Sequence, residues 1–439
     1  MAKASKAAGD VPEGQPTPEY LIERGSTGLK RSGGMITEEF LPELMGDRGR
    51  RAYRLMSDNE PVIGGALLAI KEIVGRLDWE FSPPEDPTPE EQAQRDFVQE
   101  CFEDMSDSWD VTLSQILSML PYGWSYFEVV MKVRMGQQSD PAYRSRFNDG
   151  RVGWRKFAIR SQDTLSRWVF DDNGGLRGMV QLDPNGGGQR AIPIERALLF
   201  RTDEYKGNPE GRSMLRNAYR AWYYKTHLEE IEAIGVERDL AGMPIGYAPV
   251  DWFPGPNKAA DPNLAIVQEA VKHAKRNEVD GLVLPSIIDD RGNRLLDFKL
   301  LTSGGTRQMP TNEVIGRWNN AIVTSLLMDF LTLGHEGVGS WALGTAKISM
   351  WQMVVDSIAK SVASVINKHA VPRLLRFNGW VPDRMPQLTY GDVAQADLAV
   401  LGAFLQQMIQ TGAIVPDEAL EAHVRVLAGL PPVDGRGRV

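Results

Sequence analysis

The 439-residue sequence predicts an α+β protein that is mainly helical. Three observations carry that reading. Several stretches place apolar residues at helical spacing, which marks one buried helix face. Between residues 120 and 201 the pattern changes to alternation interrupted by glycine-rich turns, which marks antiparallel strands. From Thr311 to Trp380 two helices flank a glycine-rich loop, and the rest of the chain is organised around that stretch.

In chain order, residues 1–35 are rich in Gly, Pro and Lys and predict a flexible N-terminal arm. Two short helices are expected near Glu38–Met45 and Arg48–Met56. A firmer one starts at Asn59, with Pro61 in its first turn and Val62, Ala66, Ile70, Ile73 and Val74 on one face. The segment from Pro89 to Met105 reads as an amphipathic helix with Phe97, Val98, Cys101 and Phe102 as its apolar stripe. Its outer face is heavily acidic. A carboxylate metal site is the sharper alternative, but the acids alternate around the helix as they do on a solvated face.

A helix over Val111–Leu120 leads to a half-buried strand at Ser125–Val133, with Phe127, Val129, Met131 and Val133 on the apolar side. Trp154–Ile159 and Ser166–Phe170 read as further strands. Asp171 to Gly175 is a hairpin turn with Leu176–Leu182 as the returning strand. A second turn at Asp183–Gly188 precedes strands at Arg190–Ile194 and Ala197–Phe200. Asn208–Ser213 is a turn that runs into a long helix ending near Leu240. Residues 241–303 form a small module: a strand at Ile245–Pro249, a helix capped by Asp261-Pro262, and a hairpin of Leu282–Leu284 with Leu295–Leu301.

Thr311 can cap the next helix, whose stripe is Val314, Ile315, Trp318, Ile322, Leu326 and Phe330. Gly334–Gly344 holds four glycines and reads as an irregular loop. A long helix begins near Thr345 and runs to about Asn367, and Pro372 should kink or end it. A strand at Gln387–Tyr390 and helices at Val393–Thr411 and Pro416–Leu427 complete the chain.

Composition narrows the function classes. The chain is 42% hydrophobic and can bury a real core. A lone cysteine, Cys101, excludes an intramolecular disulfide framework. No apolar run is long enough to span a bilayer, so no membrane partner is expected. The net charge is −9, and Glu85–Asp110 alone holds ten acids against Arg95, so the rest is near neutral. A sequence-specific DNA binder would carry a basic patch to neutralise phosphates, and this chain does not.

Motifs for chemistry are missing. The five histidines are scattered, without HExxH or a CxxC partner, so no metal or cofactor is expected. There is no GxSxG elbow, no Walker motif and no GxGxxG after a strand. No catalytic residue is assigned. A metal-dependent DNA-processing enzyme would need clustered carboxylates, and Glu100 and Glu103 on the acidic helix are the nearest to that.

Four strings carry a family resemblance: Pro121-Tyr-Gly-Trp-Ser-Tyr-Phe-Glu128, Asn208-Pro-Glu-Gly-Arg-Ser-Met-Leu-Arg-Asn-Ala-Tyr-Arg-Ala-Trp222, Ile231-Glu-Ala-Ile-Gly-Val-Glu-Arg-Asp-Leu-Ala-Gly-Met-Pro244 and Asn319-Asn-Ala-Ile-Val-Thr-Ser-Leu-Leu327. In these, and in its order of elements, the chain resembles the portal proteins of tailed bacteriophages, closest to the Mu-like subfamily. The resemblance implies a dodecameric ring at one capsid vertex through which double-stranded DNA is packaged and ejected without sequence recognition.

It divides the chain into a wing (36–205), a first stem helix (206–240), a clip (241–305), a second stem helix (306–333), a tunnel loop (334–346), a long kinked wing helix with its following segment (347–389), and a short crown and tail (390–439). His335, Glu336, Val338 and Trp341 of the tunnel loop would approach the duplex. Lys272, Lys275, Arg276, Arg291 and Arg294 of the clip would dock the motor. The implied partners are further copies of the chain, the terminase large subunit, the major capsid or scaffolding protein, and the head-tail adaptor. The implied location is the virion's portal vertex, with the host cytoplasm during assembly. Another head-tail connector ring is the rival within structural proteins.

Overall fold

The structure is a computed structural model that describes residues 25–241, 243–256, 259–273, 297–301, 311–328 and 341–391. The chain forms two compact units, one comprising residues up to Asn217 and from Val323 onward, the other Ala218–Ile322.

The first unit opens with a tight hairpin, β1 (Arg31–Ser32) and β2 (Met35–Ile36). Gly33 and Gly34 form its turn with φ of +59° and +84°, the left-handed pair a two-residue turn of this kind requires. The boundary expected at residue 35 therefore falls inside an ordered hairpin. Gly34 O accepts from Trp168 N at 2.9 Å, which ties the hairpin to the β region.

A 3₁₀ turn at Pro42–Leu44 replaces the first short helix, and α1 (Gly46–Asn59) follows. In α2 (Pro61–Gly75) Ala66, Ile70 and Val74 of the expected face are buried, joined by Ile63 and Leu67, while Val62 and Ile73 are only half-buried. β3 is Glu80–Ser82, and α3 (Pro89–Glu103) starts with a capping box between Thr88 and Glu91. The single helix expected at Val111–Leu120 is split into α4 (Trp109–Ile116) and the one-turn α5 (Met119–Tyr122).

Six strands make the β region: β4 (Trp124–Val133), β5 (Val152–Arg160), β6 (Leu165–Phe170), β7 (Leu176–Leu182), β8 (Gln189–Pro193) and β9 (Ala197–Arg201). They form two antiparallel three-stranded sheets, ordered β5-β4-β9 and β6-β7-β8. The expected turn at Asp171–Gly175 closes β6 and β7, with Asp171 N donating to Gly175 O at 2.8 Å.

β4 departs from its expected half-burial. It is the central strand, and Tyr126 and Phe127 are both fully buried although they point to opposite faces. Tyr126 joins Trp124, Leu165, Trp168, Met179 and Ile192 in one core cluster, and its hydroxyl donates to Ile192 O at 2.9 Å. On the other face Phe127 meets Phe200 edge-on, with ring centroids 5.6 Å apart. Each such side chain contributes roughly 1.5–3 kcal/mol by leaving water.

In the second unit, α6 (Tyr219–Ala241) is followed by β10 (Met243–Tyr247), α7 (Pro262–His273), β11 (Asp297–Leu301) and the start of α8 (Thr311–Ser325). β11 pairs antiparallel with β10, Met243 opposite Leu301 and Tyr247 opposite Asp297. The hairpin partner expected for it, Leu282–Leu284, lies outside the described residues.

Back in the first unit, α9 (Trp341–Val365) begins four residues before the expected Thr345. A single π turn at Ile366–Ala370 joins it to α10 (Val371–Phe377). Pro372 explains the wide turn: it offers no N–H and its ring crowds the carbonyl of Lys368 one turn back, so the helix opens instead of ending. Finally β12 (Gln387–Thr389) pairs with β3, Leu388 opposite Phe81. The helices expected at Val393–Thr411 and Pro416–Leu427 lie outside the described residues. Among the described residues no helix is long and apolar enough to cross a membrane.

Candidate functional site

The first helix of the stretch that organises the sequence, α8, pairs with α6 in the second unit. Thr311 at the start of α8 donates its hydroxyl to the Glu232 carboxylate. One turn or two further along, Trp318 stacks on Tyr224, with centroids 5.8 Å apart and planes at 22°. Moving up α8 by seven residues moves the partner down α6 by eight, so the two helices run antiparallel. Arg317 lies 5.3 Å from the Trp318 ring and Arg220 5.9 Å from the Tyr224 ring, positions where a cation meets the negative face of the aromatic.

A neighbouring side of α6 carries Tyr223, His227, Ile231 and Ile234 at spacings of four, four and three, which is one face of a helix. His227 rests on Tyr223 at 4.3 Å between rings. Ile231 is 66% exposed and Ile234 49%. Glu229 and Glu230 are exposed beside them. The expected helix from Ser213 begins instead as a 3₁₀ turn, Met214–Arg216, before α6 proper.

Of the expected loop residues, His335, Glu336 and Val338 lie outside the described residues, and Trp341 is the first residue of α9. Of the expected docking residues, Lys272 lies in the last turn of α7. Lys275, Arg276, Arg291 and Arg294 lie outside the described residues.

Two of the sequence strings prove to be one piece of structure in the first unit. Gly123 has φ +91°, and a Cβ there would stand 2.4 Å from Glu210 O. Gly211 has φ +54°, and a Cβ there would stand 2.4 Å from Gly123 O. Ser213 Oγ donates to Pro121 O at 2.5 Å. Both glycines are needed because two backbones approach with no room for a side chain. Arg216 then clamps Glu39 with two hydrogen bonds, of 2.5 and 2.9 Å.

The acidic helix α3 holds partners of its own. Glu100 pairs with the buried Arg134 at 2.7 Å, and Arg134 also meets Asp149 at 2.9 Å. Glu103 accepts from Gln99 Nε2 at 2.8 Å. Among the described residues no group of three or more His, Cys, Asp or Glu is placed to hold a metal ion. Cys101 is buried, and burial pushes its thiol up to about 11 despite the nearby Arg134. Sequence reasoning missed the buried ion pair of Lys132 with Asp104 at 2.9 Å. A lysine on an alternating strand reads as solvent-facing unless its partner, here 28 residues away, is known.

Comparison with known proteins decides what this architecture is. The family model described as "Portal protein of Mu bacteriophage" matches residues 50–426. The chain belongs to that family. Solved structures similar in fold agree. One is a chain from the neck of an empty gene transfer agent particle computed with C6 symmetry, at TM-score 0.52 and 15% identity, covering 88% of this chain and 95% of that one. Another is from the neck of the native particle computed with C12 symmetry, at TM-score 0.50 and 14% identity, covering 88% and 94%. A chain from the virion of the native particle matches with the same values. As a portal protein the chain has the portal fold, and its role is that of a virion ring for DNA packaging.

Proposed function

We propose that twelve copies of this portal protein form a ring at one capsid vertex, and that double-stranded DNA enters and leaves through its channel. The observation that carries this is the family match over residues 50–426. The C12 symmetry of a neck with a similar fold supports the ring number. The antiparallel α6–α8 pair fits the stem, because rods with two usable faces can make head-to-tail interfaces that close into a ring. In this reading 36–205 with 347–389 is the wing, 206–240 and 306–333 are the stem, 241–305 is the clip, 334–346 is the tunnel loop and 390–439 the crown.

The tunnel-loop residues His335, Glu336, Val338 and Trp341 approach the duplex. The clip residues Lys272, Lys275, Arg276, Arg291 and Arg294 receive the terminase large subunit during packaging and the head-tail adaptor afterwards. The wing meets the major capsid or scaffolding protein. The protein assembles in the host cytoplasm and performs no catalysis itself. A chain that is near neutral outside its acidic segment suits a conduit, since every neutralised phosphate would add binding that sliding must break.

Negative-stain imaging of the purified full-length protein tests the proposal. Rings with a central hole and twelvefold averages are expected. A protein that stays a compact monomer at high concentration, with and without capsid and scaffolding partners, would overturn it.

A further inference from the structure

The wing carries a basic cleft that the portal role does not by itself account for. It lies between β9, the Asn173–Leu176 turn and the π turn, with a volume of about 500 Å³. Arg31, Arg201, Lys368, His369 and Arg373 line it, against the single carboxylate of Glu204. Glu204 is taken by Arg201 at 2.5 Å. Arg373 donates to Ala197 O at 2.6 Å and Ile194 O at 3.1 Å, and Glu195 acts on it from nearby without a direct ion pair among the described residues. Lys368 is exposed and has no hydrogen-bond or ion-pair partner among the described residues, and Arg31 has no carboxylate there. The His369 imidazole is held below its usual range, first by burial and then by Arg373, Lys368 and Arg201, with Glu204 acting the other way.

The complementary surface is on the same unit. The outer face of α3 exposes Asp96 and Glu103, seven residues and about 10 Å apart on one side of the helix. Glu85, Asp86, Glu90 and Asp110 are exposed around it. The two surfaces lie toward opposite edges of the sheet ordered β5-β4-β9. The acidic segment is on the β5 side, where Ser106 N donates to Arg155 O at 2.8 Å, and the cleft is on the β9 side. Among the described residues no ion pair joins the two surfaces within a copy. They can satisfy each other head to tail between copies, which is the arrangement a closed ring repeats.

We infer that the acidic outer face of α3 in one copy docks into the basic cleft of the next copy, and that this contact locks the wing in the ring. The inference rests on the ring reading above and assigns it a specific interface.

Charge reversal tests it in the full-length protein. Lys368→Glu with Arg31→Glu, and separately Asp96→Lys with Glu103→Lys, are each expected to cut the ring fraction several-fold at fixed protein concentration, measured by mass photometry. All four positions are exposed, and unchanged far-UV circular dichroism and melting would confirm folded monomers. Mixing the two variants gives complementary contacts throughout any ring in which they alternate. Combining all four substitutions in one chain makes every contact complementary with the signs reversed, so both the mixture and the combined variant are expected to recover rings. Rings of the parent should also dissociate more readily as salt is raised.

Parent protein that forms rings, with a combined variant no better than either half, would overturn this interface and leave the ring reading standing. Parent protein that forms no rings would overturn the ring reading itself. Reversal variants that keep full rings but lose DNA from filled particles would make the occupant a phosphate backbone, and the inference would be wrong.

Discussion

Replacing Lys132 by Met isolates the energetics of the buried ion pair beneath the acidic helix. The Lys132 ammonium is 2.9 Å from Asp104 Oδ2, and the two side chains are 3% and 5% exposed. The same ammonium donates to the carbonyls of Asp104 and Arg144. Removing it leaves a carboxylate inside the protein without its nearest countercharge, Arg146 Nε standing 3.8 Å away on an exposed side chain. Breaking a buried pair in this way costs about 3–5 kcal/mol. Asp104 keeps two donors, Ser145 Oγ at 2.6 Å and Arg146 N at 2.9 Å, so a loss near ~3 kcal/mol is expected.

That loss is roughly a hundredfold in the unfolding equilibrium. It should be read as a shift in the urea midpoint, followed through the fluorescence of the buried Trp124 and Trp154. Lys132→Met with Asp104→Asn should recover about 1–2 kcal/mol, since the amide keeps the acceptor for Arg146 N and removes the stranded charge.

The pH dependence has a definite sign. Burial pushes the Asp104 carboxyl up, but the hydrogen bonds from Arg146 N, Ser145 and Lys132 outweigh it and hold it below the usual carboxylate range. A carboxyl lowered in the folded state adds stability above its unfolded value, near ~3.9, and loses that contribution as pH falls through the lower folded value. The gap between parent and Lys132→Met should therefore be full at pH 6 and narrow below about pH 4. A single variant within ~1 kcal/mol of the parent, or a double variant worse than the single, would refute the argument.

Gly123→Ala forces a side chain into the left-handed region and against Glu210 O; it should cost more than about 2 kcal/mol and lower the melting temperature clearly. Cys101 should react with a thiol reagent at pH 8 far more slowly in the folded protein than in urea, because it is buried and its thiol is pushed up to about 11. Deleting Gly337–Leu343 should leave ring assembly intact while filled heads become scarce, and normal yields of full particles would remove the tunnel-loop assignment. Lys275→Glu with Arg276→Glu should weaken binding of the terminase large subunit in a pull-down, and unchanged binding would take both residues out of the docking surface.

Much of the fold can be read from local pattern. Pro61 in a first turn specifies a helix start, and α2 begins there. Asp171 to Gly175 specifies a hairpin, and β6 and β7 meet there. Such features depend on neighbours a few residues away, so composition and spacing record them completely.

The candidate site was legible in another way. Periodicity gave two helices around a glycine-rich loop, and it could not distinguish a channel lining from an exposed connection. The long non-repetitive strings point to a family, and the channel-lining role proposed for the loop rests on that resemblance. A portal site is built from several copies around an axis, so no spacing within one chain can describe it.

What the sequence alone determined is the menu of elements, their order and the absence of recognisable catalytic motifs. Only the tertiary structure decided that β3 pairs with β12 from the far end of the chain, that β10 takes β11 as partner, and that Lys132 is inside while Lys368 is out. It alone brought Gly123 and Gly211 back to back, and gathered cations from three distant segments into one cleft. The physical reason is that periodicity encodes which face of an element is apolar. It does not encode which other element covers that face, and charge acquires its environment only once that cover is in place.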